Sequence, residues 1–80
     1  KQSYQSAAQI IGSDRQGLLR DISTIIANDR VSIIGMESNT NKTKQIMIMN
    51  IKLEVPSSEM LSRVLDKIQQ LDDVTQVKRL

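Results

Sequence analysis

The sequence contains no cysteine, histidine, tryptophan or phenylalanine, and its one aromatic residue is Tyr4. Without cysteine, the chain can form neither a disulfide bond nor a thiolate metal site, and it has no cysteine nucleophile. Without histidine, it lacks the commonest general base and the commonest transition-metal ligand. We therefore expect a domain with no catalytic residue, no metal site and no cofactor.

A dominant charge and a long apolar run are also missing. The 11 lysine and arginine residues and the 9 aspartate and glutamate residues give a net charge of +2. This is too small to indicate a nucleic-acid or membrane surface as the partner. No apolar run approaches the ~20 residues that span a bilayer, and no signal peptide is visible. We expect a cytoplasmic protein with no membrane partner.

The chain has 80 residues, enough for one small domain that buries roughly 60–65% of its unfolded surface. Strand-like sequence begins within a few residues of Lys1, and no initiator methionine precedes it. We interpret residues 1–80 as a single domain excised from a larger protein.

Apolar periodicity predicts six elements of secondary structure. These are strands over residues 4–12, 31–38, 43–55 and 74–80, one helix over about 15–28, and another that follows Pro56 and is capped by Ser57 or Ser58. Residues 39–42 are the predicted turn between the second and third strands. Two right-handed βαβ crossovers then give an α+β, ferredoxin-like βαββαβ sandwich, in which both helices cover one face of a four-stranded antiparallel sheet.

The segment between the first strand and the first helix is the first candidate site. Asp14 is a predicted N-cap, because its carboxylate can accept hydrogen bonds from backbone N–H groups two and three residues further on. The N–H groups of a helix N-terminus can also hold a carboxylate or phosphate, and Gly17 would let a ligand come close. Alternatively, Asp14 only caps the helix and Gly17 only packs. The candidate ligand-binding residues are Gly12, Ser13, Asp14, Gln16, Gly17 and Leu18.

The sheet face opposite the helices is the second candidate site. Strand alternation places more apolar surface there than a small monomer normally exposes. We infer that a second copy of the chain or another partner covers it. The residues of this dimer or partner face are Ile11, Ile34, Met36, Ile46 and Ile48.

Several functions known for this fold lack their residues here. RNA binding by base stacking needs aromatic rings on the open face, and a metallochaperone needs a CxxC motif. An acylphosphatase needs an arginine in the first turn and an asparagine. Arg15, Arg20 and Asn50 are available, but Arg15 is interpreted as a solvated residue and no titratable pair divides acid and base roles. A small-molecule sensor and a protein interaction module remain.

Three runs carry a resemblance to a known family: DRQGLLRDI at 14–22, IANDRV at 26–31 and VTQVKRL at 74–80. They resemble an ACT domain, and more narrowly the C-terminal ACT domain of the RelA/SpoT-type (p)ppGpp synthetases, which are GTP pyrophosphokinases. The resemblance implies a regulatory domain that pairs side by side with a second copy. It also implies an amino-acid site between the segment from Gly12 to Leu18 and the partner's second strand, here Ile33 to Glu37.

In such a site, Asp14 would meet the ligand's ammonium, and N–H groups near Gly17 and Leu18 would meet its carboxylate. The parent enzyme would transfer pyrophosphate from ATP to GTP or GDP in the stringent response, and its C-terminal half would sense the ribosome and uncharged tRNA. We therefore expect a homodimeric domain that senses an amino acid or signals through dimer contacts. The alternative is a contact module for the ribosome, tRNA or the rest of the parent, with no small ligand.

Overall fold

The computed structural model describes residues 3–80, which form four strands and two helices. In chain order these elements are β1 (Tyr4–Ser13), α1 (Leu18–Asn28), β2 (Ser32–Asn41), β3 (Ile46–Val55), α2 (Ser58–Gln69) and β4 (Val74–Arg79). The strands form one antiparallel sheet in the order β2-β3-β1-β4. The predicted ferredoxin-like βαββαβ fold is confirmed.

The core lies between the helices and one face of the sheet. β3 contributes every second residue from Met47 to Val55, and each of these side chains is buried. In the paired strand β1, Ala8 and Ile10 lie opposite Ile51 and Met49 and are buried with them. The helices add Leu18, Ile22, Ile26, Leu61, Val64, Leu65 and Ile68. Because strand side chains alternate between faces, this pattern assigns the other face of the sheet to solvent or to a partner.

The start of α1 differs from the prediction. The helix begins at Leu18, three residues later than expected, and its N-cap is Gly17 rather than Asp14. Gly17 has a φ of 96°, in the left-handed region, so the backbone cannot be helical there. Arg15 to Gly17 instead form a turn, in which the Leu18 N–H donates to the Arg15 carbonyl over 3.3 Å. The Asp14 side chain is exposed and does not cap the helix.

The predicted start of α2 is confirmed. The Ser57 hydroxyl accepts a hydrogen bond of 3.1 Å from the Met60 N–H, as expected of an N-cap. Among residues 3–80, neither helix has the length and apolar character that crossing a bilayer requires.

The turn between β2 and β3 was predicted three residues too early. Residues 39–41 continue β2, and the turn occupies residues 42–45. The Asn41 side chain accepts from the Lys44 N–H over 3.1 Å, and Gln45 closes the turn at a φ of 56°. The local bonding expected of asparagine therefore begins at Asn41 and not at Asn39.

Candidate functional site

The segment joining β1 to α1, here called the β1–α1 loop (residues 14–17), meets two other connections at one end of the sheet. At the end of β1, the Ser13 N–H donates to the Asp73 carbonyl over 2.8 Å. The Asp14 N–H donates to the Gln45 carbonyl, in the β2–β3 turn, over 3.0 Å. The α2–β4 connection (residues 70–73) and the β2–β3 turn therefore fix where the loop begins.

Arg15 ties the loop down further through its side chain. The guanidinium Nη2 lies 2.7 Å from the Asp21 carboxylate in the first turn of α1, and Nε donates to the Asp73 carboxylate. The Arg15 side chain is 36% exposed. Its interpretation as a solvated residue is wrong, because two carboxylates from other elements converge on it.

The same contacts shift the pKa values of Arg15 and Asp21. The hydrogen bond from Arg15 is the main reason why the pKa of the Asp21 carboxyl lies below its ordinary value. The hydrogen bonds to Asp21, and then to Asp73, raise the pKa of Arg15. Arg15 and Asp21 therefore form an oppositely charged pair at neutral pH.

The backbone donors at the start of α1 are the groups that could hold an anion. No side chain of residues 3–80 caps this helix. The N–H groups of Leu19 and Arg20, in the first helical turn, have no helical carbonyl four residues before them and point out of the N-terminal end of the helix. The Leu18 N–H, which the sequence also suggested as a donor, is directed at Arg15 instead. Leu19 and Arg20 therefore add donors next to those predicted near Gly17 and Leu18.

The two glycines of the predicted site have different roles. Gly12 is buried, and a Cβ atom there would lie 2.6 Å from the Asp73 carbonyl and 3.1 Å from Leu18 Cδ2. Gly12 therefore allows the α2–β4 connection to lie directly against β1. Gly17 has the positive φ that few other residues tolerate, and so it shapes the turn before α1. Ser13, Asp14 and Gln16 are exposed around them.

On the open face of the sheet, three of the predicted apolar residues lie together. Ile11 and Ile48 are direct cross-strand partners. Ile46, two residues before Ile48 in β3, lies on the same face. All three are partly buried. This part of the predicted dimer or partner face is present as an apolar cluster, which we call the isoleucine cluster.

Met36 and Ile34 do not join the isoleucine cluster. Met36 pairs with Ile51, whose side chain is in the core, so the expected position of Met36 on the open face is wrong. The reason is a β-bulge between Ile33 and Gly35, which adds one residue and reverses the faces of the residues around it. Ile34 lies in the bulge and has no cross-strand partner in the register.

The edge strand β2 carries three exposed apolar side chains. β2 pairs with β3 alone, and nine of its ten residues are exposed. Ile33, Ile34 and Met36 are 36%, 44% and 42% exposed. We call these three residues the β2 edge patch. A long edge strand with unpaired N–H and C=O groups and apolar side chains favours pairing with another strand.

The contribution of Asp73 was not predicted from the sequence. Asp73 is 58 positions from Arg15 in the sequence, and Asp72 and Asp73 were interpreted only as turn residues. The single available signal was an acidic residue placed directly before the last strand. Asp73 comes next to the start of α1 only in the folded domain, where the right-handed crossover through α2 returns β4 to the side of β1.

Comparison with known proteins identifies the class. A family model described as "ACT domain" matches residues 1–79. The chain belongs to the ACT domain family.

The relatives define the branch of that family. The chain is 40% identical over 72 residues to the GTP pyrophosphokinase of Haemophilus influenzae, covering 90% of this chain and 10% of that protein. It is 36% identical over 77 residues to the GTP pyrophosphokinase of Escherichia coli K12, covering 96% and 10%. The chain thus spans about a tenth of the length of these curated relatives. The predicted resemblance to the ACT domain of GTP pyrophosphokinases is confirmed.

A solved structure shows the same fold. The crystal structure of the ACT domain from the GTP pyrophosphokinase of Chlorobium tepidum superimposes with a TM-score of 0.86 at 23% identity. The match covers 99% of this chain and all of that one. The likeness extends over all six elements of the domain.

Proposed function

We propose that this chain is the regulatory ACT domain of a cytoplasmic GTP pyrophosphokinase of the stringent response. The parent would transfer pyrophosphate from ATP to GTP or GDP, and this chemistry would belong to the other nine-tenths of its length. The family membership and the similarity to GTP pyrophosphokinases over nearly the whole chain support this proposal.

Within that role, we propose that the domain forms a homodimer and senses an amino acid. The uncapped N-terminus of α1 is the single observation that carries the ligand proposal. Its free N–H groups would hold the ligand's carboxylate, since a helix N-terminus favours negative charge. The exposed Asp14 carboxylate would meet the ammonium group. Ser13, Gln16 and Gly17 would line the site between them.

The β2 edge patch supports the homodimer. Pairing of two β2 strands would bury the apolar side chains of both copies and complete the backbone hydrogen bonds along this edge. A second strand of the same sequence supplies the same length and the same apolar residues. The isoleucine cluster on the open face would remain available for the rest of the parent.

A second candidate function is favoured by the internal bonding of the loop. The N–H groups of Ser13, Asp14 and Leu18 are all used within the domain. A loop that is fixed in this way suits a contact module with no small ligand. Such a module would meet the ribosome, tRNA or other parts of the parent through the isoleucine cluster.

Calorimetric titration of the 80-residue chain with each of the twenty amino acids separates the two functions. A sensor would give saturable heat with one amino acid, and Asp14→Ala would weaken or abolish it. Asp66→Ala is the matched control, because it removes an exposed aspartate from α2 and should leave binding unchanged. Twenty negative titrations from a folded protein would reject the sensor and leave the contact module.

A further inference from the structure

Asp73 contacts three residues of the segment that leads into α1, namely Gly12, Ser13 and Arg15. Its carbonyl accepts from the Ser13 N–H over 2.8 Å and lies against Gly12, where a Cβ would be 2.6 Å away. Its carboxylate accepts from Arg15. One residue of the α2–β4 connection therefore holds both the backbone and the side chain of the segment that precedes the helix.

Arg15 extends these contacts to a third element. Its guanidinium joins Asp73, in the α2–β4 connection, to Asp21 in the first turn of α1. The planar group presents several N–H donors in a fixed geometry, so it can bond two carboxylates at once. The Asp21 and Asp73 side chains are each only 34% exposed, so the surrounding protein partly shields these bonds from water.

The start of β4 is attached to the same place. Val74 pairs with Gly12, and its N–H donates to the Leu71 carbonyl over 3.1 Å. The Thr75 hydroxyl donates to the Ile11 carbonyl over 3.0 Å, at a β-bulge in the pairing of β1 with β4. A movement of Asp73 away from the loop would therefore also disturb the first residues of β4.

We propose that Arg15 and Asp73 are positioning residues, which form a latch between the β1–α1 loop and the start of β4. The latch holds the loop in the position that leaves the first-turn N–H groups of α1 facing outward. It also couples opening of the loop to fraying of the start of β4, so that the two occur together. The latch itself follows from these contacts, and only its effect on ligand affinity rests on the proposed function. Any ligand that stabilised the closed loop would equally stabilise the start of β4, because coupling between two sites is reciprocal.

Amide hydrogen exchange, followed by NMR on the 80-residue chain, tests the latch without a ligand. In Arg15→Gln, exchange of the Ser13 and Val74 amides should accelerate together by about tenfold, the size expected when roughly one net hydrogen bond is lost. The amides of Ile26 and Val64, within the two helices, should not change. Arg20→Gln is the matched control, since Arg20 is 80% exposed and lies 3.9 Å from Asp21.

The reciprocal variant sharpens the test. Asp73→Ala should accelerate the same two amides, and adding it to Arg15→Gln should have no further effect, because Arg15→Gln has already removed the bond that Asp73→Ala breaks. Unchanged exchange at Ser13, acceleration at Ser13 without Val74, or fully additive effects would each overturn the latch. An equal acceleration at Ile26 and Val64 would also overturn it, since that result would indicate only global destabilisation.

The outcome is independent of the amino-acid titrations. Coupled exchange together with twenty negative titrations would support the latch and reject the ligand. Saturable binding without coupled exchange would support the ligand and reject the latch. If both results are positive, Arg15→Gln should weaken the ligand while Arg20→Gln should not.

Discussion

The loop end of the domain and the β2 edge differ in how many of their polar groups have bonding partners within this chain. At the loop end, backbone N–H groups and three charged side chains find partners within the chain. Along β2, the outer backbone groups have no cross-strand partner within residues 3–80, and the side chains of the β2 edge patch are exposed. The loop is therefore held in one shape by bonds within the chain, whereas β2 keeps an unpaired edge of the kind that favours addition of another strand.

The largest expected difference between the two regions is between alanine substitutions at Gly12, at the loop end, and at Gly35, in β2. Gly12→Ala would place a Cβ against the Asp73 carbonyl, so we expect a loss of about 2–3 kcal/mol in the free energy of unfolding, as for other overpacked sites. Gly35→Ala in β2 is the matched control, because its Cβ would lie 3.5 Å from Lys52 Cβ in ordinary contact. Urea unfolding measures both variants. Equal losses in the two would contradict the tight packing assigned to Gly12.

Gly17→Ala tests the shape of the turn itself. An alanine at a φ of 96° is strained, and a left-handed backbone costs roughly 1–2 kcal/mol in a residue with a Cβ. We expect a loss of that size in urea unfolding. A chemically synthesised chain with D-alanine at position 17 should recover most of it, because a D-residue favours positive φ. If D-alanine destabilises as much as L-alanine, the positive φ is not the cause of the loss.

Two lysine variants distinguish the two apolar surfaces. Met36→Lys places a charge in the β2 edge patch, and we expect it to weaken self-association by about tenfold or more while the fold is retained. Ile48→Lys places the same charge in the isoleucine cluster and should leave the dimer intact. Sedimentation equilibrium measures both, with circular dichroism as the check on folding. Dissociation by Ile48→Lys alone would move the interface to the open face.

The smallest expected effect is a pH dependence of the ion pairs at the loop. The folded pKa of Asp21 lies below its unfolded value, which is about 4. The pairing with Arg15 therefore contributes stability above that pH, and the contribution is lost as the pH falls through the folded pKa. The thermal midpoint of the unmodified chain should exceed that of Asp21→Asn at pH 7, and the difference should shrink below pH 4. A difference that stays constant down to pH 2 would contradict this assignment.

Much of the fold could be predicted because its signals are local. The helical stripe that includes Ile22 and Ile26 and the alternation in β3 each report burial directly, and Pro56 with Ser57 marks the start of α2. The right-handed crossover rule then converts six elements into one topology. The position of the candidate loop followed from the same information.

The remaining details depend on interactions that sequence periodicity does not encode. The β-bulge in β2 adds one residue without interrupting the apolar pattern, and so the side on which Met36 lies was predicted wrongly. The pairing of Arg15 with Asp73 depends on a contact between residues 58 positions apart. The left-handed Gly17, which delays α1 to Leu18, resembles any other first-turn residue in the sequence.

The most direct test of the sensor proposal is a set of amino-acid titrations followed by amide NMR on the 80-residue chain. Each amino acid is added in turn while the amides of Gly17, Leu19 and β2 are observed. We expect one amino acid to shift the Gly17 and Leu19 amides along one saturation curve, and β2 amides that follow the same curve would place the partner's second strand in the site, as the family resemblance implies. If all twenty leave these amides unmoved, the loop is not a sensor.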